Sequence, residues 1–149
     1  MDTSDYIQEL LEINARHLET TCSGFRTADV YCVDRYGREI HFSPPQKIDD
    51  DIFRLMTTFS GEFQSADDIS LLCRAFARFY YGFIAVHPFS NGNYRTACTF
   101  IQRRAKEKSY NIASLQILRK ILLEGAVATE MQKLMTAFKV VLKPLRKES

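Results

Sequence analysis

Residues 66–86 constrain this 149-residue chain more than any other stretch. Ile69, Leu72, Cys73, Phe76, Phe79, Tyr80 and Phe83 recur at intervals that keep them on one helix face. Leu71, Tyr81 and Ile84 lie off that stripe, so the pattern predicts a central helix buried on several sides, with Ser65 as its cap. Such a helix needs other helices around it. The spacing supplies them over 5–19 (Ser4 as cap; Ile7, Leu10, Leu11 and Leu18 on one face), 49–59, 93–108, 114–123 and 129–142. Pro144 and the charged residues 146–149 read as a fraying end.

One region breaks the helical pattern. Over 27–42 two β-like runs, 28–33 and 38–42, flank Asp34-Arg35-Tyr36-Gly37, where Gly37 can take the positive φ of a hairpin turn. Pro44 and Pro45 end the second run, because proline cannot donate to a strand ladder. A two-stranded hairpin is marginal alone, so this one must lean on helices or serve as an exposed edge. The expected fold class is all-α, a helical bundle with one small hairpin. The expected organisation is one domain over 1–149, with an ordered core at 5–142 and a basic tail at 143–149.

Charge and cysteine usage narrow the function. Twenty basic residues against eighteen acidic give +2, too mild for a nucleic-acid binder. No run of about 18 consecutive apolar residues suggests a membrane span. Met1-Asp2-Thr3-Ser4-Asp5 is acidic and polar, unlike a secretory signal. Cys22, Cys32, Cys73 and Cys98 form no CxxC pair, which disfavours zinc and a disulfide scaffold and suits a reducing, cytoplasmic compartment.

The chemistry concentrates in His87-Pro88-Phe89-Ser90-Asn91-Gly92-Asn93-Tyr94-Arg95, between the buried helix and the next. A histidine ending a rigid element suits a general base. Pro88 stops the helix, and Gly92 lets backbone approach a ligand. The next helix offers unpaired N–H groups at its positive end. Arg95 lies in that first turn, where a cation opposes the helix dipole unless an anion sits nearby. These residues read as a phosphate cradle with a base; an ordinary helix–loop–helix turn is the competing reading. His17, His41 and Tyr80-Tyr81 read as boundary, surface and packing residues, and Arg103-Arg104 with Lys106 and Lys108 as a solvated helix face.

This segment resembles the Fic family signature HPFx(D/E)GN(G)RxxR. Gly24-Phe25-Arg26-Thr27 and Phe42-Ser43-Pro44-Pro45 are similar to the stretches around that family's hairpin flap. The resemblance implies a helical Fic fold that moves AMP from ATP to a hydroxyl of a target protein. By position, His87 would deprotonate the incoming Ser, Thr or Tyr hydroxyl, Phe89 would anchor the loop, Gly92 and Asn93 would form the anion cradle with Tyr94 beside it, and Arg95 would hold phosphate charge. Val30, Tyr31, Cys32, Val33, Ile40 and His41 would form the flap that aligns the target as an added strand. ATP and Mg²⁺ are the implied cofactors. Action would be in a bacterial cytoplasm, or in a host cell if the protein is an injected effector.

Three positions depart from the signature. Asn91 replaces the acid that holds Mg²⁺, so the metal should bind weakly; Tyr94 replaces a glycine and adds volume near the phosphates; Cys98 replaces the second arginine. The last two changes resemble Doc-type toxins, which act as kinases. The family's inhibitory (S/T)xxxE(G/N) helix has only a chance-like match, Thr58 to Glu62, between two expected core helices. Any restraint would then come from a separate antitoxin-like protein, or be absent. Phosphoryl transfer, another nucleotide, or a degenerate binding module stay open beside adenylyl transfer.

Overall fold

The computed structural model describes residues 1–20, 24–33, 36–114, 116, 120 and 131–145. In chain order the elements are α1 (Thr3–His17), β1 (Tyr31–Val33), β2 (Glu39–His41), a 3₁₀ turn (Pro45–Lys47), α2 (Ile48–Ser65), α3 (Ile69–Val86), α4 (Asn93–Glu107), β3 (Tyr110–Ile112), α5 (Met131–Val141) and β4 (Leu142–Pro144). The all-α bundle with a small hairpin is the observed class. α3 packs between α2 and α5, while α1 lies across α2 and α4. Phe59, Phe63, Phe76, Phe79, Phe100 and Phe138 meet in one aromatic cluster with ring centroids 4.9–6.4 Å apart, a mix of stacked, tilted and edge contacts that suits ring quadrupoles. α3 is long and apolar enough to cross a membrane by length and composition, with a mean hydropathy of 1.4, but here half of it is buried as the core helix.

The helix starts differ from the expected ones. α1 is capped by Asp2 rather than Ser4: Asp5 N–H donates to Asp2 Oδ1 (2.9 Å) and Asp2 N–H donates to Asp5 Oδ2 (3.0 Å), a reciprocal capping box. Ser65 is the last residue of α2, not the cap of α3; Asp68 takes that role by accepting from Leu71 N–H at 2.8 Å. An aspartate three residues before that N–H matches the N-cap geometry. α2 therefore runs six residues past Phe59, and Thr58 and Glu62 both lie inside it.

The chain end also differs. The expected helix at 129–142 stops at Val141, and Leu142–Pro144 pairs antiparallel with Tyr110–Ile112 (Tyr110 opposite Pro144). Ala113 N–H to Val141 C=O (2.7 Å) and Leu145 N–H to Ser109 C=O (2.9 Å) close the two ends. Lys143 and Pro144, expected in the tail, are thus ladder residues, held by a partner some thirty residues upstream that helical periodicity cannot reveal. The helix expected at 114–123 lies largely outside the described residues.

Arg104 is not on a solvated face. It is 3% exposed, its Nη2 donates to both carboxylate oxygens of Glu9 (3.0 Å each), and its guanidinium lies over the rings of Tyr6 (5.2 Å) and Phe100 (4.9 Å). Lys108 likewise folds back, over Phe63 at 4.9 Å, and donates to Ala66 C=O at 3.1 Å. Tyr80 is buried as expected, but Tyr81 is exposed.

Candidate active site

The site begins where α3 ends. His87 is the C-cap of α3 with φ +52°, and its N–H donates to Phe83 C=O at 2.8 Å. Left-handed backbone is the usual way to leave a helix but ordinarily falls to glycine. A non-glycine there stores about 1–3 kcal/mol and persists only where its surroundings over-determine it. Pro88 then prevents the helix from resuming.

The next residues are pinned from inside. Phe89 is 1% exposed and packs against Phe25 (5.6 Å) and Phe83 (6.4 Å). Asn93 closes the loop on itself: Phe89 N–H donates to its Oδ1 at 2.9 Å, and its Nδ2 donates to Phe89 C=O at 2.7 Å. Its side chain is buried and spent on the loop. Gly92 is the N-cap of α4 with φ +78°, and no side chain caps that end. A Cβ on Gly92 would stand 3.1 Å from Asn14 Nδ2. The uncapped first turn of α4 keeps the N–H groups that make a helix N-terminus an anion site. Arg95 is exposed in that turn, Asn91 is exposed just before it, and Tyr94 is half-buried and packs against the core. Cys98, one turn further, is buried.

Two residues missing from the candidate set hold this loop. Asn14 of α1, 1% exposed, donates through Nδ2 to Asn91 C=O (2.8 Å) and to Thr96 Oγ1 (3.3 Å). Its signal was legible, since an asparagine four residues after Leu10 falls on the apolar face of that helix. Arg26 is the other. Its Nε donates to His87 C=O (2.7 Å), Nη1 to Ala28 C=O (2.8 Å), and Nη2 to Val86 C=O (3.1 Å) and Ser43 C=O, while its N–H donates to Pro88 C=O (2.9 Å). Nothing in its local sequence announces five long-range or turn carbonyls.

The hairpin stands beside His87. β1 and β2 pair as Tyr31–His41, Cys32–Ile40 and Val33–Glu39, shorter than the expected runs, and among the described residues no third strand joins them. Tyr31, Val33 and His41 are exposed; Val30, Cys32 and Ile40 are half-buried. His41 meets Glu39 at 3.2 Å and stacks on Tyr31. Phe42, at the hairpin's end, stacks on the His87 ring with centroids 4.2 Å apart and planes at 16°.

Burial first, and the Arg26 charge second, hold the His87 pKa below the ordinary histidine value. The imidazole is therefore neutral at neutral pH. Its Nδ1 is buried with no hydrogen-bond partner, so proton exchange with a substrate falls to Nε2. The arrangement can take a proton beside a cradle for an anion. Toward a magnesium ion Asn91 offers only a neutral amide oxygen, and among the described residues no three His, Cys, Asp or Glu side chains cluster as an all-protein metal site.

A family profile described as Fic/DOC family matches residues 4–103. Among solved structures the chain resembles BepC, a VirB-translocated effector of Bartonella tribocorum with bound AMPPNP, at TM-score 0.63 and 13% identity over 83% of this chain and 66% of that one. It resembles the N-terminal Fic domain of a VirB-translocated Bep effector of Bartonella quintana with bound ADP at TM-score 0.63 and 14% identity, over 82% and 64%. A Fic domain-containing signaling protein of Bacteroides thetaiotaomicron follows at 0.55 and 16%, over 78% and 48%. The chain spans slightly under two thirds of the two Bartonella structures and less of the third. A comparison with curated proteins gave no match.

Proposed function

This chain belongs to the Fic/DOC family, and on that premise we propose that it moves AMP from ATP to a Ser, Thr or Tyr hydroxyl of a target protein. The observation that carries the reading is His87, a left-handed C-cap of α3 five residues before Gly92, the N-cap of the uncapped α4. His87 Nε2 takes the hydroxyl proton. The freed oxygen bonds to the α-phosphorus, the bond from that phosphorus to the bridging oxygen breaks, and pyrophosphate leaves. The backbone N–H groups of the α4 first turn and Arg95 receive the phosphate charge. The nucleotides bound by two Bartonella neighbours support this assignment. No step is routed through Mg²⁺, which Asn91 would hold only as a weak neutral ligand.

The target docks as an added strand on the exposed hairpin, through Val30 to Val33 and Ile40 to His41. Glu62 faces Arg78 at 3.4 Å on the α2–α3 surface, so the Thr58–Glu62 match does not act on the loop. Any restraint would then come from a separate partner protein, or be absent. The translocated Bep neighbours support action in a cytoplasm, bacterial or host.

Intact-mass measurement of the protein and of candidate targets after incubation with ATP and Mg²⁺ tests the proposal. A gain of one AMP supports it. A gain of one phosphate would assign the Doc-like chemistry, which the changes at Tyr94 and Cys98 favour. Retained nucleotide binding without any gain would make the chain a binding module.

A further inference from the structure

We propose that Arg26, together with Phe42, is a positioning residue that ties the hairpin to His87 and sets where the imidazole points. This rests on the reading of His87 as the base. A catalytic histidine is ordinarily aimed by a hydrogen bond from its other ring nitrogen, but here Nδ1 is buried without one. Its orientation must therefore come from its backbone and from whatever packs on its ring.

Both are supplied by the hairpin's two ends. Val86 and His87 present the last carbonyls of α3, which no intrahelical N–H can satisfy. Arg26 serves them from a distance, with Nη2 on Val86 and Nε on His87. The same guanidinium holds Ala28 C=O before β1 and Ser43 C=O after β2. Each of these acceptors is a neutral carbonyl, and the side chain is 4% exposed. Burying a guanidinium is unfavourable; the Asp29 carboxylate nearby and the negative end of α3 offset part of that cost. The Arg26 N–H to Pro88 C=O bond clamps the chain just past the left-handed residue. One residue beyond β2, Phe42 stacks on the imidazole itself. The hairpin that would receive the target and the base that would act on it are thus a single mechanical unit.

A planar fork is required to reach carbonyls from separate segments; an ammonium cannot span them. Arg26→Lys keeps the charge and loses the fork. In the full chain, still folded by its circular dichroism, it should lower the rate constant of AMP transfer at saturating ATP by about 30-fold or more, the scale of lost orientation, and leave ATP affinity within about twofold. Transfer within about threefold of the unsubstituted protein would overturn the proposal. A second readout does not depend on transfer. Stacking on Phe42 gives the His87 ring protons an upfield ring-current shift by NMR. Arg26→Lys should move them back toward unstacked values, and unchanged shifts would overturn the proposal even in a protein that transfers nothing. Should Arg26→Lys not fold, Phe42→Leu keeps an apolar side chain and removes the stack. It should cut transfer at unchanged ATP affinity, and full transfer would refute the hairpin's role.

Discussion

Replacing Asn93 with alanine tests the loop from within. Asn93 is 4% exposed, and both halves of its amide bond to the backbone of Phe89, at 2.9 and 2.7 Å. Phe89 is itself 1% exposed, so the freed N–H and C=O have no ready path to water. Each buried, unsatisfied group costs about 1–3 kcal/mol, so Asn93→Ala should destabilise by about 2–6 kcal/mol. Partial entry of water beside the half-exposed Gly92 puts the value at about 2–4 kcal/mol. That is a large share of the 5–15 kcal/mol typical of a domain. The chain has no tryptophan, so urea unfolding followed by far-ultraviolet circular dichroism is the assay, with an unchanged slope confirming a two-state comparison. Asn93→Asp is the control. It can still accept from Phe89 N–H but sets a second oxygen against Phe89 C=O, so it should lose at least as much stability. A loss below about 1 kcal/mol in Asn93→Ala would refute the reasoning, because the two bonds would then contribute no more than exposed ones.

His87→Ala should lower transfer by about 10²- to 10⁴-fold while ATP affinity changes little; undiminished transfer removes His87 as the base. Arg95→Ala should do the reverse, weakening ATP binding by about tenfold in calorimetry, a charged hydrogen bond discounted for the exposure of Arg95. Asn91→Asp adds a negative ligand at the loop and should sharpen the Mg²⁺ dependence of ATP binding; an unchanged titration places Asn91 away from any metal. Because the His87 pKa is lowered in the folded chain, the unfolded chain binds more protons as the pH falls below the ordinary histidine value. Stability should therefore decline as the pH falls through that range, and less so in His87→Gln, which comparison of urea midpoints at pH 7.5 and 5 will read.

Much of this was legible because local rules suffice for it. The apolar stripe of α3 and the proline after His87 are short-range patterns, and so is the glycine that starts α4. Asn93 shows the limit. Its place in the signature was clear, but whether its amide faces a ligand or Phe89 depends on how tightly the loop closes. Arg104 shows it again. Spacing put it on a polar face, and only the approach of α1, carrying Glu9 and Tyr6, turned that face inward.

The sequence alone determined a bundle around one apolar helix and a histidine shortly before a helix N-terminus, because periodicity, proline and glycine act within a few residues. The tertiary structure alone decided what surrounds that histidine. Arg26 and Asn14 come from segments 61 and 77 residues from the groups they hold, and the second strand pair joins residues thirty or more apart. Hydrogen bonds at such separations depend on where whole helices come to rest, which no local pattern encodes.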